Sequence, residues 1–382
     1  MTVLRQLPFF ALVLALWGGA HYYVGRRLIP RSLATAPRRL AWAVLWAIAS
    51  VPMIAFFAGF ASAGQRGPLT WTGFLVMGLS TLLVTLTLAL DAGRWLTRRI
   101  ARRSIVDPGR RAFLGRVATL GGAGGLTTIG YLEAIRLPRL VEVDVPIAGL
   151  APELEGFRIA QLSDVHVGPT IGRAYLEGLV EIVNGQSPDL IALTGDMVDG
   201  WVEAMRDEVA PFSSLRARHG CFFVTGNHEY YWDGPAWCEE FRRLGAEVLI
   251  NEHRVIDHEG AALVIAGVTD RSGGARAPEH ETSPQDAVAG APAGAPIVML
   301  AHQPRSAAPV AATGAALMLS GHTHGGQYFP LNLLVHLFQP YVAGLHLLEE
   351  TWIYVSRGSG YWGPPNRFGA PSEVTLLRLR RA

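Results

Sequence analysis

Phe157-Arg-Ile-Ala-Gln-Leu-Ser163-Asp164-Val-His166 is a short apolar run that stops abruptly in side chains able to bind a metal. A run of this length bounded by polar residues reads as a buried strand. The pattern recurs: Leu190-Ile-Ala-Leu runs towards Gly195-Asp196-Met-Val-Asp199, and Cys221-Phe-Phe-Val towards Gly226-Asn227-His228-Glu229. Ile297-Val-Met-Leu precedes Ala301-His302-Gln303, and Leu317-Met-Leu precedes Gly321-His322-Thr-His324. Other strand-like runs are Leu263-Val-Ile-Ala, Trp352-Ile-Tyr-Val and Val141-Glu-Val-Asp-Val, the last with the period of a half-buried strand. Helical patterns fall between the early strands, at Ala174 to Val183 and Trp201 to Leu215. Alternating strands and helices predict an α/β domain with largely parallel pairing in its first half. Ligands bind outside the carboxyl ends of such strands, so five polar motifs at five strand ends are expected to converge. Ser272 to Pro296, rich in Ala, Gly, Pro and acidic residues, reads as a surface loop.

The metal-competent side chains in these motifs are Asp164, His166, Asp196, Asn227, His302, His322 and His324. They comprise four imidazoles, two carboxylates and an amide, without a thiolate, a mixture suited to Mn, Fe, Zn or Co. Seven ligands exceed one tetrahedral ion and fit two ions sharing a carboxylate bridge. Two ions about 3.5–4 Å apart serve in-line displacement at phosphorus, and coordination lowers the pKa of water from about 15.7 towards 7. Each motif alone has an ordinary reading, Gly-Asp as a turn or Asn-His as a loop. Their joint occurrence, in order and each at a strand end, carries the inference.

Taken together, the motifs resemble the calcineurin-like metallophosphoesterases, from about Leu140 to the C-terminus. The resemblance implies a β-sandwich flanked by helices. It implies that Asp164, His166 and His324 hold one ion, that Asn227, His302 and His322 hold the other, and that Asp196 bridges. It also implies that His228 is a catalytic residue and not a ligand, facing the phosphate to stabilise charge or protonate the leaving oxygen. Glu229 and Asp199 look like supporting members. Gly321 to Gln327, Tyr354-Val-Ser-Arg357-Gly-Ser-Gly360 and Pro365 to Glu373 look most like the branch of membrane-associated or exported bacterial phosphodiesterases, although a long polytopic anchor departs from that branch.

The anchor is read from the first third of the chain. Of the 382 residues 50% are hydrophobic and 17% charged, and the apolar share concentrates before residue 137. Runs at Leu7 to Val24, Leu40 to Phe60 and Leu69 to Leu90 each approach the roughly 20 residues needed to cross a bilayer. A Gly-rich run from Val117 to Ile135 is a fourth. Arg26, Arg27, Arg31, Arg38 and Arg39 separate the first two runs. Arg94, Arg98, Arg99, Arg102, Arg103, Arg110 and Arg111 separate the last two, and Arg66 alone lies between the middle pair. The positive-inside rule makes the Arg-rich loops cytoplasmic. The chain is therefore expected to comprise a multi-pass anchor of four transmembrane helices over residues 1–136 and an extracytoplasmic catalytic domain over residues 137–382. Arg110-Arg111 before a small-residue apolar run also resembles an internal twin-arginine signal, the alternative being an Arg-rich loop; both place the domain outside, whereas a fourth run that does not cross would leave it facing the cytoplasm.

The net charge is +2 and all 33 basic residues are Arg. Without lysine, P-loop, Schiff-base and Lys general-base chemistry are excluded, and the scattered Arg residues argue against nucleic acid as a partner. Cys221 on a strand and Cys238 on a helix are expected to be unpaired. The expected function is hydrolysis of a phosphodiester or phosphomonoester by two divalent ions at the membrane surface. The alternatives are a lipid-linked pyrophosphate hydrolase of the UDP-diacylglucosamine type, which needs a cytoplasmic site, and a receptor or scaffold that keeps the fold; against the latter, no ligand position is substituted. Arg357 and Arg367 are candidate phosphate clamps, or else structural arginines. The apolar stretch Gln327 to Leu348 lines a groove for a lipid phosphoester, or packs on the sheet or the anchor.

Overall fold

The computed structural model describes residues 7–61, 67–100 and 107–382; Arg66, Arg102 and Arg103 of the two loops lie outside them. Four helices come first: α1 (Leu7–Leu28), α2 (Thr35–Ala61), α3 (Pro68–Ile100) and α4 (Pro108–Ile135). Pro68 and Pro108 open their helices, where the missing N–H costs nothing. The Asp107 carboxylate caps α4 by accepting from the Arg110 N–H at 2.8 Å.

The bundle buries polar side chains among its apolar ones and exposes many large apolar ones. Ser80, Thr87, Thr119 and His21 are buried, while Leu12, Leu16, Leu88, Phe113, Leu120 and Leu132 are exposed. Water would impose the reverse. Among the described residues, Thr35–Ala58 and Pro68–Thr97 are long and apolar enough to cross a membrane, and only 22% and 33% of their most apolar windows are buried, unlike core helices of a soluble protein. Against the expected four crossings, α1 and α4 do not join this pair. In α4 seven glycines, the threonines and Glu133 dilute the apolar content.

At one end of the bundle Arg27 pairs with Asp91 at 2.6 Å, Arg94 donates to the Arg111 carbonyl and Arg116 to the Arg27 carbonyl, each at 3.5 Å. At the other end Trp71 meets Tyr131, and α4 leads within four residues into a strand.

The remainder holds, among the described residues, two six-stranded sheets. The strands are β1 (Arg139–Ile147), β2 (Arg158–Leu162), β3 (Leu190–Thr194), β4 (Cys221–Val224), β5 (Glu247–Val248), β6 (Glu252–His258), β7 (Ala261–Gly267), β8 (Ile297–Leu300), β9 (Leu317–Ser320), β10 (Gly344–Leu348), β11 (Thr351–Val355) and β12 (Glu373–Arg381). The first sheet runs β1-β12-β2-β3-β4-β5, parallel from β2 to β5; the second runs β10-β11-β9-β8-β7-β6, parallel from β11 to β7. Ile159, Leu190, Phe222 and Val224 of one sheet meet Leu263, Ile265, Val298, Leu300 and Leu319 of the other. The outer face of the first sheet is covered by α5 (Arg173–Gly185), α6 (Val202–Val209), α7 (Asn227–Trp232) and α8 (Gly234–Arg243), with Trp237 and Phe241 buried against Leu193 and Phe223.

Strands β5, β6, β10 and β12 had no sequence signal that set them apart. The helix expected from Trp201 to Leu215 stops at Val209 and continues as a 3-10 turn, Ala210–Ser214, because Pro211 has no N–H to extend the α ladder. The loop from Ser272 to Pro296 contains a 3-10 turn, Pro278–His280, and one helical turn, Pro284–Ala287. Cys221 and Cys238 are both free.

Candidate metal centre

The five motifs follow the carboxyl ends of β2, β3, β4, β8 and β9, three from one sheet and two from the other. The chain turns sharply there: Asp164, His166, Asp196, His322 and His324 all have φ between 52° and 69°. Non-glycine residues in this left-handed region are uncommon and cluster where function over-determines the backbone. Gly226 and Gly321 admit the close approach, since a Cβ on Gly226 would run into the Asp196 carboxyl and one on Gly321 into Ser163 and Asp164. Gly226→Ala is expected to push Asp196 aside and leave less than one ion per chain by elemental analysis; retention of two would show that the loop can give.

Asp164, His166 and His324 bring ligand atoms within 4.8 Å of one another, as do Asp196, His302 and His322, and so do His166, Asp196 and His228. Asp196 lies at the centre, its Oδ2 being 3.1 Å from His302 Nε2 and 3.9 Å from the Nε2 atoms of His166 and His228. Its Oδ1 accepts from the His228 N–H at 2.8 Å.

The donors suit cations. His302 Nδ1 donates to the Thr194 carbonyl at 2.8 Å, so in the neutral ring the Nε2 lone pair faces a carboxylate oxygen. That Nε2 and Asn227 Oδ1 are buried without a hydrogen-bond partner, an arrangement costly unless an unseen group satisfies it. The Asn227 amide is turned by its Nδ2, which donates to Tyr231 Oη at 3.2 Å. His166 Nδ1 donates to Asp199 Oδ2 at 3.0 Å, leaving Nε2 3.0 Å from His324 Nε2; the two rings are close enough that both would contribute to holding one ion. The residues present therefore fit a pair of divalent ions.

Supporting groups set the charges. Burial opposes ionisation of Asp199, but His228 and His166 outweigh it and take the carboxyl to about 2. Burial likewise opposes the His228 cation, but Asp199 and Asp196 raise that imidazole to about 9. For His302 burial is overcome by Asp196, which raises it well above the usual value, whereas burial and then the Arg367 cation hold His324 well below its own. Glu229 accepts from the N–H groups of Asp196, Met197 and Gly226 at 3.0, 2.7 and 2.6 Å, knitting two of the loops together.

The two arginines do not face the space between the candidate ligands. Arg367 is 1% exposed, and its guanidinium donates to the carbonyls of His324, Arg357, Gly360 and Ala370, with Nη2 3.2 Å from His324 Nδ1. A clamp needs donors facing the substrate, and these are directed at the backbone behind His324. Arg357 pairs with the buried Glu373 at 2.9 Å. Trp362, which sequence reasoning missed, stands half exposed at the rim with its ring 5.4 Å from that of His228. Nothing local marks Trp362; Tyr231 could have been found from its i+4 spacing to Asn227 on α7.

Residues 157–326 match the family model described as calcineurin-like phosphoesterase. A Danio rerio protein called transmembrane protein with metallophosphoesterase domain is 36% identical over 76% of this chain and 68% of its own length. The chain belongs to the calcineurin-like metallophosphoesterase family. A Bos taurus protein of the same name is 39% identical over 67% of this chain and 60% of its own length, and an uncharacterized metallophosphoesterase from Helicobacter pylori is 36% identical over 65% and 66%. The stretch shared with this metallophosphoesterase thus spans about two thirds of these relatives. Members of the family use divalent metals, and the Asp and His clusters described above are where such ions can be held.

Proposed function

We propose that this metallophosphoesterase hydrolyses a phosphodiester or phosphomonoester at the outer membrane–water interface, with two divalent ions as cofactors. The observation that carries the reading is the position of Asp196 Oδ2, within 3.9 Å of ring nitrogens from three histidines on separate loops. Asp164, His166 and His324 would hold one ion, Asn227, His302 and His322 the other, and Asp196 both. Such ions supply Lewis acidity at the phosphoryl oxygens and an acidified water.

The chain's own residues do the rest. Asp199 holds Nδ1 of His228 and so turns Nε2 into the site. As the oxygen of a water that has already released one proton to solvent bonds to phosphorus and the phosphorus–oxygen ester bond breaks, Nε2–H would pass its proton to the departing oxygen, leaving a neutral imidazole that solvent reprotonates. Asp199 supports that cation through its charge. Arg367 is a positioning residue for His324 in this reading, and Arg357 retains a partly exposed guanidinium beside the His324–Gly325 loop.

The four-crossing anchor is supported by the exposed apolar faces of α1 and α4 as well as those of α2 and α3. The Arg-rich end of the bundle lies opposite the end that leads into β1, which favours an extracytoplasmic site over the cytoplasmic pyrophosphate hydrolase. The test is full-length protein purified in detergent, analysed for metal and assayed on phosphomonoesters and diesters. Close to two ions per chain are expected, with activity lost on chelation and regained with Mn²⁺, Fe²⁺, Zn²⁺ or Co²⁺. Undiminished turnover by metal-free protein would refute the proposal.

A further inference from the structure

The apolar stretch after His324 packs on the sheet only at its end, where Gly344–Leu348 forms β10; its first half does not. Leu331–Leu334 forms one helical turn and Val335–Leu337 a 3-10 turn, and Leu331, Leu333, Leu334, Leu337 and Phe338 are all exposed, Leu337 by 75%. Apolar exposure of this kind, interrupted by the exposed His336, marks an interaction site. Its place in the fold identifies the occupant. Phe329, two residues before the segment, packs with Leu82, Leu83, Leu86, Ala123 and Leu126 of α3 and α4. Leu82 lies near the middle of the apolar run Leu69 to Leu90, so the segment leaves the bundle level with the middle of that run. The Pro364–Arg367 loop docks on the same helices: Gly78 faces Pro364, and the Gly130 carbonyl accepts from the Arg367 N–H at 2.9 Å.

A segment among acyl chains must satisfy its own backbone. Here Leu333 and Leu334 N–H donate to the Pro330 carbonyl, Phe338 and Gln339 N–H donate to that of Val335, and Arg305 Nη2 donates to the Phe338 carbonyl at 2.9 Å. The way to the site is short. Gln327 joins the segment to the rim, its amide donating to the Trp362 and Pro364 carbonyls and accepting from the Trp362 N–H. A half-exposed indole at this point suits the headgroup level, where tryptophan concentrates.

We propose that Leu331–Phe338 is inserted into the leaflet that surrounds α3 and α4, and that the metal centre acts on phosphoesters of lipids presented by that leaflet. The second half rests on the phosphoesterase reading; the insertion does not.

The test uses the full chain in vesicles of phosphatidylcholine and phosphatidylglycerol, spin-labelled at Leu337→Cys and, as an aqueous reference, at Val255→Cys on β6. The unlabelled positions Cys221 and Cys238, whose thiols burial pushes up to about 12, give the background in the unsubstituted chain. Relaxation of the Leu337 label by oxygen is expected to dominate relaxation by a water-soluble nickel chelate, with the opposite at Val255. Equal access of the chelate to both sites would overturn insertion, and so would a Leu337 label immobilised and shielded from both reagents, which would mean a protein partner or a second copy of the chain. The Leu337→Asp, Phe338→Asp double variant is then expected to lower the ratio of turnover on vesicle-borne to soluble diester about tenfold, because anchoring strength scales with buried apolar area. An unchanged ratio would overturn the lipid substrate. Inactivity of the unsubstituted chain on every phosphoester would instead count against the phosphoesterase reading, with the spin-label result standing.

Discussion

Asp196→Asn is expected to leave a chain that reaches the membrane, binds little metal and does not turn over. Asp196 is 2% exposed, and burial works against its charge; His302 and His228 nonetheless hold its carboxyl well below the usual range. An amide at this position keeps the shape and hydrogen-bond acceptor but removes the negative charge that two cations would share. Losing about 4 kcal/mol of charge stabilisation corresponds to about a 10³-fold fall in rate, and loss of the ions themselves takes the fall further. Elemental analysis beside turnover of a soluble diester measures both effects. If Asp196→Asn retained two ions per chain and the original rate, Asp196 would not be the bridge.

His228→Ala separates chemistry from metal binding. The imidazole reaches into the site from the first turn of α7, while its Nδ1 is held by Asp199 and its ring packs between Tyr231 and Trp362. Its removal is expected to keep both ions and to cost about 10²–10⁴ in rate, the range for a general acid. The loss should depend on the leaving group, falling hardest on diesters of poorly acidic alcohols and lightly on nitrophenyl esters, whose departing oxygen needs no proton. A variant that loses metal, or that slows all esters alike, would remove His228 from the role of acid.

Much of this centre was legible in the chain because its parts are local. Each ligand motif directly follows an apolar strand run, so strand and motif were read together; the shared direction of parallel strands carried three motifs to one end of the first sheet and two to one end of the second, and the packing of the sheets joined them. Arg367 was not legible in the same way. Its polar surroundings are four backbone carbonyls contributed by residues from His324 to Ala370, and a guanidinium pointed at carbonyls has the same sequence signature as one pointed at phosphate. The stretch from Leu331 to Phe338 likewise reads as core by composition, since apolar residues are usually buried to escape water. Only its position against α3 and α4 supports the proposal that it meets a different solvent.

The sequence by itself determined the α/β alternation, the ligand types and their order, because strand periodicity and metal chemistry depend on residue type and near neighbours. Tertiary structure decided which imidazole nitrogens face one another, that Asp199 orients both His166 and His228, and that Arg367 stands behind His324. It also placed Trp362 at the rim. These are contacts between residues tens to hundreds of positions apart, and their distances follow from how the sheets and the bundle pack rather than from any local pattern.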